Sequence, residues 1–517
     1  MDITVDILQS QTDMWPKRYL RPTRLSFASC YLLSIHVSST LWLVCFDTPS
    51  NEAEYYLHLP SVRQTLFFVP WLMNVLKLFI VGCLAGPAAA NLTSCMNDKN
   101  VLIVGCGLSG LATAISLTTH IDDVQITIVE NRSNLDSRGA TLGLQVSGQK
   151  ALNEIAGVTD GTDCDMLETL KDKGMLSPSS GQLIIPWWAV RDALLKEVKA
   201  REDRIKIHLG VSIDDLIEQE DGSYVAAFKE SELEINADVI IGADGVHSYV
   251  RQNILSLPKA TPSGAYVWRG SVDTNKSVDE KVNQLQQLPM GKFLQIGGGL
   301  VLGVFNFHSK LPGKIAWVFS AQTDKFVGNM NIDWGTTTPE ELIQAYMDSL
   351  DGDCDEELKE KCDLAKLLFG NTHLPSDLTW SSELGFVDLT PENISWGGRG
   401  RITLIGDAAH AVRPTSGLGG SLAFEDAALL ARYLARSDTR DSASIEEQLR
   451  AFEKIRLPRC KSISNDQNIR AELRYKVGDR GVPAWDPAYK KWIMDGIDAT
   501  PEPPVSEIDV YAGLLSE

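Results

Sequence analysis

Apolar residues along this chain fall into short continuous runs that stop at glycine or an acidic residue. Val101–Val104 runs into Gly105-Cys106-Gly107-Leu108-Ser109-Gly110, and Val124–Val129 stops at Glu130. "ADVIIGADGVHSYVR" (Ala237–Arg251) and "GRITLIGDAAHAVRPTSGLGGSLAFEDAALLARYLA" (Gly400–Ala435) repeat the pattern of strand, turn and helix. Runs of this kind without polar alternation suit parallel strands buried on both faces. With Leu111–Thr118 reading as a helix, strands and helices alternate, which predicts an α/β architecture.

Residues 261–395 read differently. "AYVWRGSVD" (Ala265–Asp273), "KFLQIGGGLVLGVFNFH" (Lys292–His308) and "KIAWVFSA" (Lys314–Ala321) alternate or run apolar as the strands of a second, mixed sheet would. Tyr266, Trp268, Phe305, Phe307 and Trp317 are expected to populate one wall of it, either as core or as the lining of an apolar pocket.

The first turn carries chemistry. Gly105 permits a tight turn, Gly107 lets a pyrophosphate approach the backbone, and Gly110 lets the helix pack on the strand. Free amides at the helix start attract phosphates, and Glu130 at the end of the second strand is placed to accept hydrogen bonds from a ribose. This spacing predicts dinucleotide binding. Cys106 sits at a variable position of the turn and reads as a small filler.

Charge narrows the partners. The net charge is −20, and residues 1–95 contribute none of it, with six acids against six bases. So acidic a body repels phosphate backbones and argues against nucleic acid. The nine cysteines and eight histidines are scattered without metal-ligand spacing, so no metal site is expected.

Taken in order, the motifs at Gly105–Gly110, Gly242–Gly245 and Gly406–Gly420 resemble the FAD-binding fingerprints of flavoprotein monooxygenases of the aromatic-hydroxylase type, the single-component group that uses NAD(P)H. The resemblance spans about Val101 to Arg459, ending in "AFEKIRLPR". It implies a discontinuous Rossmann-like FAD-binding domain (96–260 and 396–470) around a substrate domain (261–395), with a C-terminal tail from 471 to 517. It also implies that Glu130 holds the adenosine ribose, that Arg191 in "WWAVRDALL" contacts the flavin side near the pyrophosphate, and that Asp244 and Gly245 serve both FAD and the nicotinamide cofactor. Gly406 and Asp407 would take the ribityl chain, Pro414 the reactive flavin edge, and Gly417, Leu418, Gly419 and Gly420 the ring through their amides. Pro414, Gly417 and Gly419 are thereby the candidate catalytic positions, and His410 reads as a packed supporting residue. Leu418 and Ser421 depart from the Gln and Asn usual there, which bears on how the ring is placed. The family's Trp-Arg pair is Trp268-Arg269.

The expected activity is oxygen insertion into a small apolar or aromatic substrate, using NAD(P)H, dioxygen and a flavin hydroperoxide. Epoxidation or double-bond reduction of a lipophilic isoprenoid is the alternative, and a flavin-binding protein without turnover the non-enzymatic one.

An apolar leader precedes this body. Leu25–Phe46 holds 22 residues without a charged side chain, after Lys17, Arg18, Arg21 and Arg24. Gln64–Gly86 is a second apolar segment, interrupted by Pro70, Asn74 and Lys77. One or two membrane segments (25–46, 64–86) would leave a membrane-associated enzyme, with a cytosolic catalytic domain if both span. Two readings compete. Met73–Ala90 resembles a signal peptide, and a chain starting at Met96 would be cytoplasmic.

Overall fold

The computed structural model describes residues 99–504, except 136–140, 278, 290, 327–331, 335, 351–353, 373–380, 390, 392–393, 414–416, 437–442 and 478–482. Before residue 99 it describes only the backbone of four strands. The chain divides into two units, Met1–Asn91 and Leu92–Glu517. In the first, Ile3–Gln9, Cys30–Val37, Thr40–Asp47 and Tyr56–Leu57 form an antiparallel sheet in chain order. Within the leader segment 25–46 the described residues are therefore two antiparallel strands, Cys30–Val37 and Thr40–Asp47, and not one spanning helix. The second candidate span, 64–86, lies outside the described residues. Among the described residues no helix is long and apolar enough to cross a membrane.

The core of the second unit is a five-stranded parallel sheet. Its order is Ile205–Leu209, Gln125–Glu130, Asn100–Val104, Val239–Gly242, Ile402–Leu404. Val101–Val104, Val239–Gly242 and Ile402–Leu404 are buried at every position, because helices and loops cover both faces of a parallel sheet. Helix Leu108–His120 packs against helices Trp187–Lys199 and Gly419–Ala435. Strands far apart in sequence thus end at one edge, carrying all three glycine motifs with them.

The second sheet runs Gly291–Gly297, Leu300–Asn306, Lys314–Gln322, Thr261–Asp273, Ser381–Phe386. Every neighbouring pair is antiparallel, which corrects the mixed sheet expected from the sequence. Short connections reverse the chain between Gly291–Gly297, Leu300–Asn306 and Lys314–Gln322, as hairpins do. The expected strand 292–308 is itself a hairpin. It turns at Gly297, Gly298 and Gly299, whose φ values of 120°, 55° and 79° suit glycine.

The five aromatics do not share one wall. Trp268 and Trp317 lie under helices Pro339–Asp348 and Glu356–Gly370, while Phe305 and Phe307 face the other way and pack with Met175. The side-chain period of two decides this: Trp317 pairs with Val304, so its neighbour Phe305 points to the opposite face.

The C-terminal segment is tied into the main core. Asp486 caps helix Pro487–Asp495 by accepting from Ala488 and Tyr489 amides at 2.8 and 3.2 Å, and Tyr489, Trp492 and Ile493 are buried. Arg459, from the long helix Ala443–Val477, donates to the Trp492 and Ile493 carbonyls and to both Glu425 oxygens. Arg459→Met would strip a buried carboxylate of its main partner. It is expected to destabilise the protein by about 3–5 kcal/mol, read as a lower urea midpoint.

Candidate functional site

The first glycine turn is shaped by what surrounds each residue. Gly105 has φ +110°, and a Cβ there would lie 2.4 Å from the Ala243 carbonyl oxygen. At Gly110 a Cβ would lie 2.1 Å from the Gly105 carbonyl oxygen. A Cβ on Gly107 would meet nothing within 4 Å. Two glycines are therefore demanded by packing, and the middle one leaves open the side on which helix Leu108–His120 presents its uncapped amides.

Glu130 closes the second strand beside this turn. Its Oε2 accepts the Cys106 amide at 2.9 Å, and its Oε1 accepts the Arg132 amide and Nε, each at 3.1 Å. Burial pushes the carboxyl up, but the hydrogen bonds from Arg132 and Cys106 outweigh it and hold Glu130 below its ordinary value. Burial, reinforced by the Glu130 charge, raises the Cys106 thiol to about 12, which suits an inert filler.

Arg191 reaches the same turn from helix Trp187–Lys199; its charge is felt at Cys106. The residue is 9% exposed, rests over the Trp187 ring at 5.7 Å and donates from Nη2 to Asp192 at 3.1 Å. Its Nε and Nη1 are buried with no hydrogen-bond partner. Buried guanidinium donors without acceptors cost about 1–3 kcal/mol each, and they fit an anionic ligand passing Gly107.

The second motif is turned toward its own loop. Asp244 Oδ2 accepts the Tyr249 and Val250 amides at 2.7 and 3.1 Å, holding the start of the helical turn Val250–Ile254. Burial raises its carboxyl against those bonds. Gly245, at φ +79°, is open, with nothing within 4 Å of a Cβ.

The third motif brings the first helix and the second sheet together. Gly406 has φ +57°, and a Cβ there would lie 2.1 Å from Ser109 Oγ, so the third turn sits directly on the first helix. Asp407 begins helix Asp407–His410. Its side chain is accessible, yet it lies so deep in the protein that burial raises its carboxyl, opposed by the charges of His410 and Arg269. Arg269 comes from the second sheet; burial lowers its pKa and Asp407 counters.

The loop that follows is fitted closely to strand Thr141–Leu144. A Cβ on Gly417 (φ +68°) would lie 2.7 Å from Gln182 Nε2, and one on Gly420 would lie 2.6 Å from Leu142 Cδ1. Gly419 is open apart from Val412 at 3.8 Å. Leu418 is 1% exposed, and Ser421 Oγ accepts the Gln145 amide at 3.0 Å. The two departures noted in the sequence thus serve as a core contact and an anchor between loop and strand. Pro414 lies outside the described residues.

Sequence reasoning overlooked Leu142, Gly143, Gln145 and Gln182. Only Gly143, beside the loop's Gly417, carried a visible signal. Asp426, Arg456 and Arg459 escaped it as well, since a carboxylate or guanidinium within a helical pattern reads as a solvated face.

A glycine-rich strand-to-helix turn, an acid ending the second strand and a buried arginine with two unpartnered nitrogens are the marks of a dinucleotide-binding α/β protein of the flavoprotein kind. A family model described as an FAD binding domain matches residues 98–466, and the chain belongs to that family. Among its relatives, the notoamide E oxidase notB' of Aspergillus versicolor is 26% identical over 385 residues, covering 71% of this chain and 79% of the relative. The salicylate hydroxylase of Pseudomonas putida is 25% identical over 425 residues, covering 74% and 87%. The crystal structure of CtdE in complex with FAD and its substrate shares the fold, with a TM-score of 0.58 at 16% identity over 81% of this chain and all of that one. This protein is an FAD-dependent monooxygenase, an oxidoreductase.

The glycines give a paired prediction. Gly110→Ala should destabilise the protein by about 1–3 kcal/mol through overpacking. Gly107→Ala should leave thermal unfolding of the apoprotein within about 0.5 kcal/mol of wild type while weakening FAD retention, measured by flavin release on dilution.

Proposed function

We propose that this enzyme uses NAD(P)H and dioxygen to insert one oxygen atom into a small, planar aromatic substrate. Bound FAD supplies the electron transfer and the activation of dioxygen that no side chain here can perform. In this reading Glu130 accepts the adenosine ribose hydroxyls, and Arg191 and the amides after Gly107 bind the pyrophosphate. Gly406 and Asp407 take the ribityl chain, while Asp244 and Gly245 form the loop shared with the nicotinamide cofactor. Pro414 and the amides of Gly417, Leu418, Gly419 and Gly420 flank the ring, where a helix N-terminus stabilises negative charge.

The substrate class rests on one register row across the antiparallel sheet. Arg269 pairs with Val318, Val318 with Gly303, and Gly303 with Phe293, so the four share a face. A Cβ on Gly303 would lie 2.8 Å from Phe293 Cε1, so glycine there lets the ring lie across the sheet. Phe293 is 60% exposed and meets Phe305 edge-on at 5.6 Å. The row therefore offers a cation at the Asp407 end, an apolar floor and an aromatic ring. That combination favours a planar apolar body carrying an acidic or carbonyl group over the isoprenoid hydrocarbon of the alternative.

The test is oxidation of NADH and NADPH by purified holoprotein against a panel of aromatic acids, phenols and polycyclic aromatics. An aromatic acid should stimulate oxidation and leave an oxygenated product. Arg269→Met should lower kcat/KM for it by about tenfold to a hundredfold. Tight FAD with no stimulated oxidation across the panel would contradict the proposal.

A further inference from the structure

Helix Asp407–His410 spans four residues, too few to hold its own shape, and the side chains behind it supply what it lacks. Asp426, fully buried on helix Gly419–Ala435, reaches both of its ends. Its Oδ2 accepts the Gly406 amide at 2.8 Å and meets His410 Nε2 at 2.6 Å. Its Oδ1 accepts Arg456 Nε at 2.7 Å. Arg456 Nη1 donates to Glu425 at 2.9 Å, and Arg459 joins Glu425 to the end of the C-terminal helix. Arg251 reaches the middle of the turn, donating to the Ala408 and Ala409 carbonyls at 3.3 and 3.4 Å.

His410, Asp426 and Cys460 place ligand-type atoms within 4.8 Å of one another. Both Asp426 oxygens are already taken, one of them by a guanidinium, so the group is suited to holding a proton between His410 and Asp426. Burial disfavours the imidazolium, but Asp426 and Cys460 override that and raise His410 well above its ordinary value. Burial likewise pushes Asp426 up, and His410 and Arg456 bring it below its ordinary value.

We propose that His410 and Asp426 are positioning residues, a buried imidazole–carboxylate clamp that fixes the Gly406–His410 turn and so presents Asp407 to the ribityl chain of FAD. The Arg456–Glu425–Arg459 chain braces the clamp from behind and gives the C-terminal helix a part in cofactor binding.

The test measures FAD affinity of reconstituted full-length protein, with the bound-flavin absorption spectrum alongside. His410→Gln keeps a donor for Asp426 and should bind FAD within about threefold of wild type. His410→Leu fills the space without a donor and should weaken binding by about tenfold or more. In an Asp407→Ala background the same leucine change should cost less than about threefold, because the clamp acts through Asp407. Wild-type affinity in the leucine variant, no rescue by glutamine, or an equal loss in both backgrounds would overturn the proposal. Where the leucine protein does not fold, the glutamine variant decides: retained affinity with an unshifted flavin spectrum supports the clamp, and a tenfold loss overturns it.

Discussion

A carboxylate removed from water must find hydrogen-bond donors or charged partners, and Asp426 finds three at the point where the structure needs them. One oxygen holds the Gly406 amide and His410, and the other holds Arg456. The three strands that carry the glycine motifs come from distant parts of the chain, so the parallel sheet alone brings them only near one another. Asp426 joins the last of them to helix Gly419–Ala435, and Gly406 in turn sits against Ser109 of the first helix. Through one buried ion chain, the site, its two flanking helices and the C-terminal segment become a single packed object. Such a chain contributes little net stability when intact, yet losing any one member is costly.

The site resolves an electrostatic conflict in the same way. A protein of net charge −20 must hold an anionic cofactor, and its buried interior offers few, local, desolvated cations. Arg191 has two unpartnered nitrogens beside an open glycine, and Arg269 stands opposite Asp407. Inside a low-dielectric site, one oriented guanidinium outweighs many surface acids that water and salt screen.

The parallel sheet and the turns at Gly105, Gly245 and Gly406 were legible in the chain because apolar runs ending in glycine have few other uses. The second sheet was legible only as strands. Its antiparallel order and the opposite facing of Trp317 and Phe305 depend on a register that an apolar run does not specify. Segment 25–46 shows the same ambiguity, since its 22 uncharged residues fit a spanning helix by length while the backbone forms strands. The helix that follows Gly417 was legible, but the anchoring of Ser421 to Gln145 needs the third dimension. Asp426 and Arg456, 30 residues apart on different helices, gave no sign that they belong together.

A crystal structure of the FAD-loaded protein tests the central claim most directly. The account predicts the pyrophosphate within hydrogen-bond distance of Arg191 and of the amides following Gly107, with Asp407 on the ribityl chain and the Asp426–His410 contact intact. A pyrophosphate bound elsewhere, with the Arg191 nitrogens still without an acceptor, would contradict it.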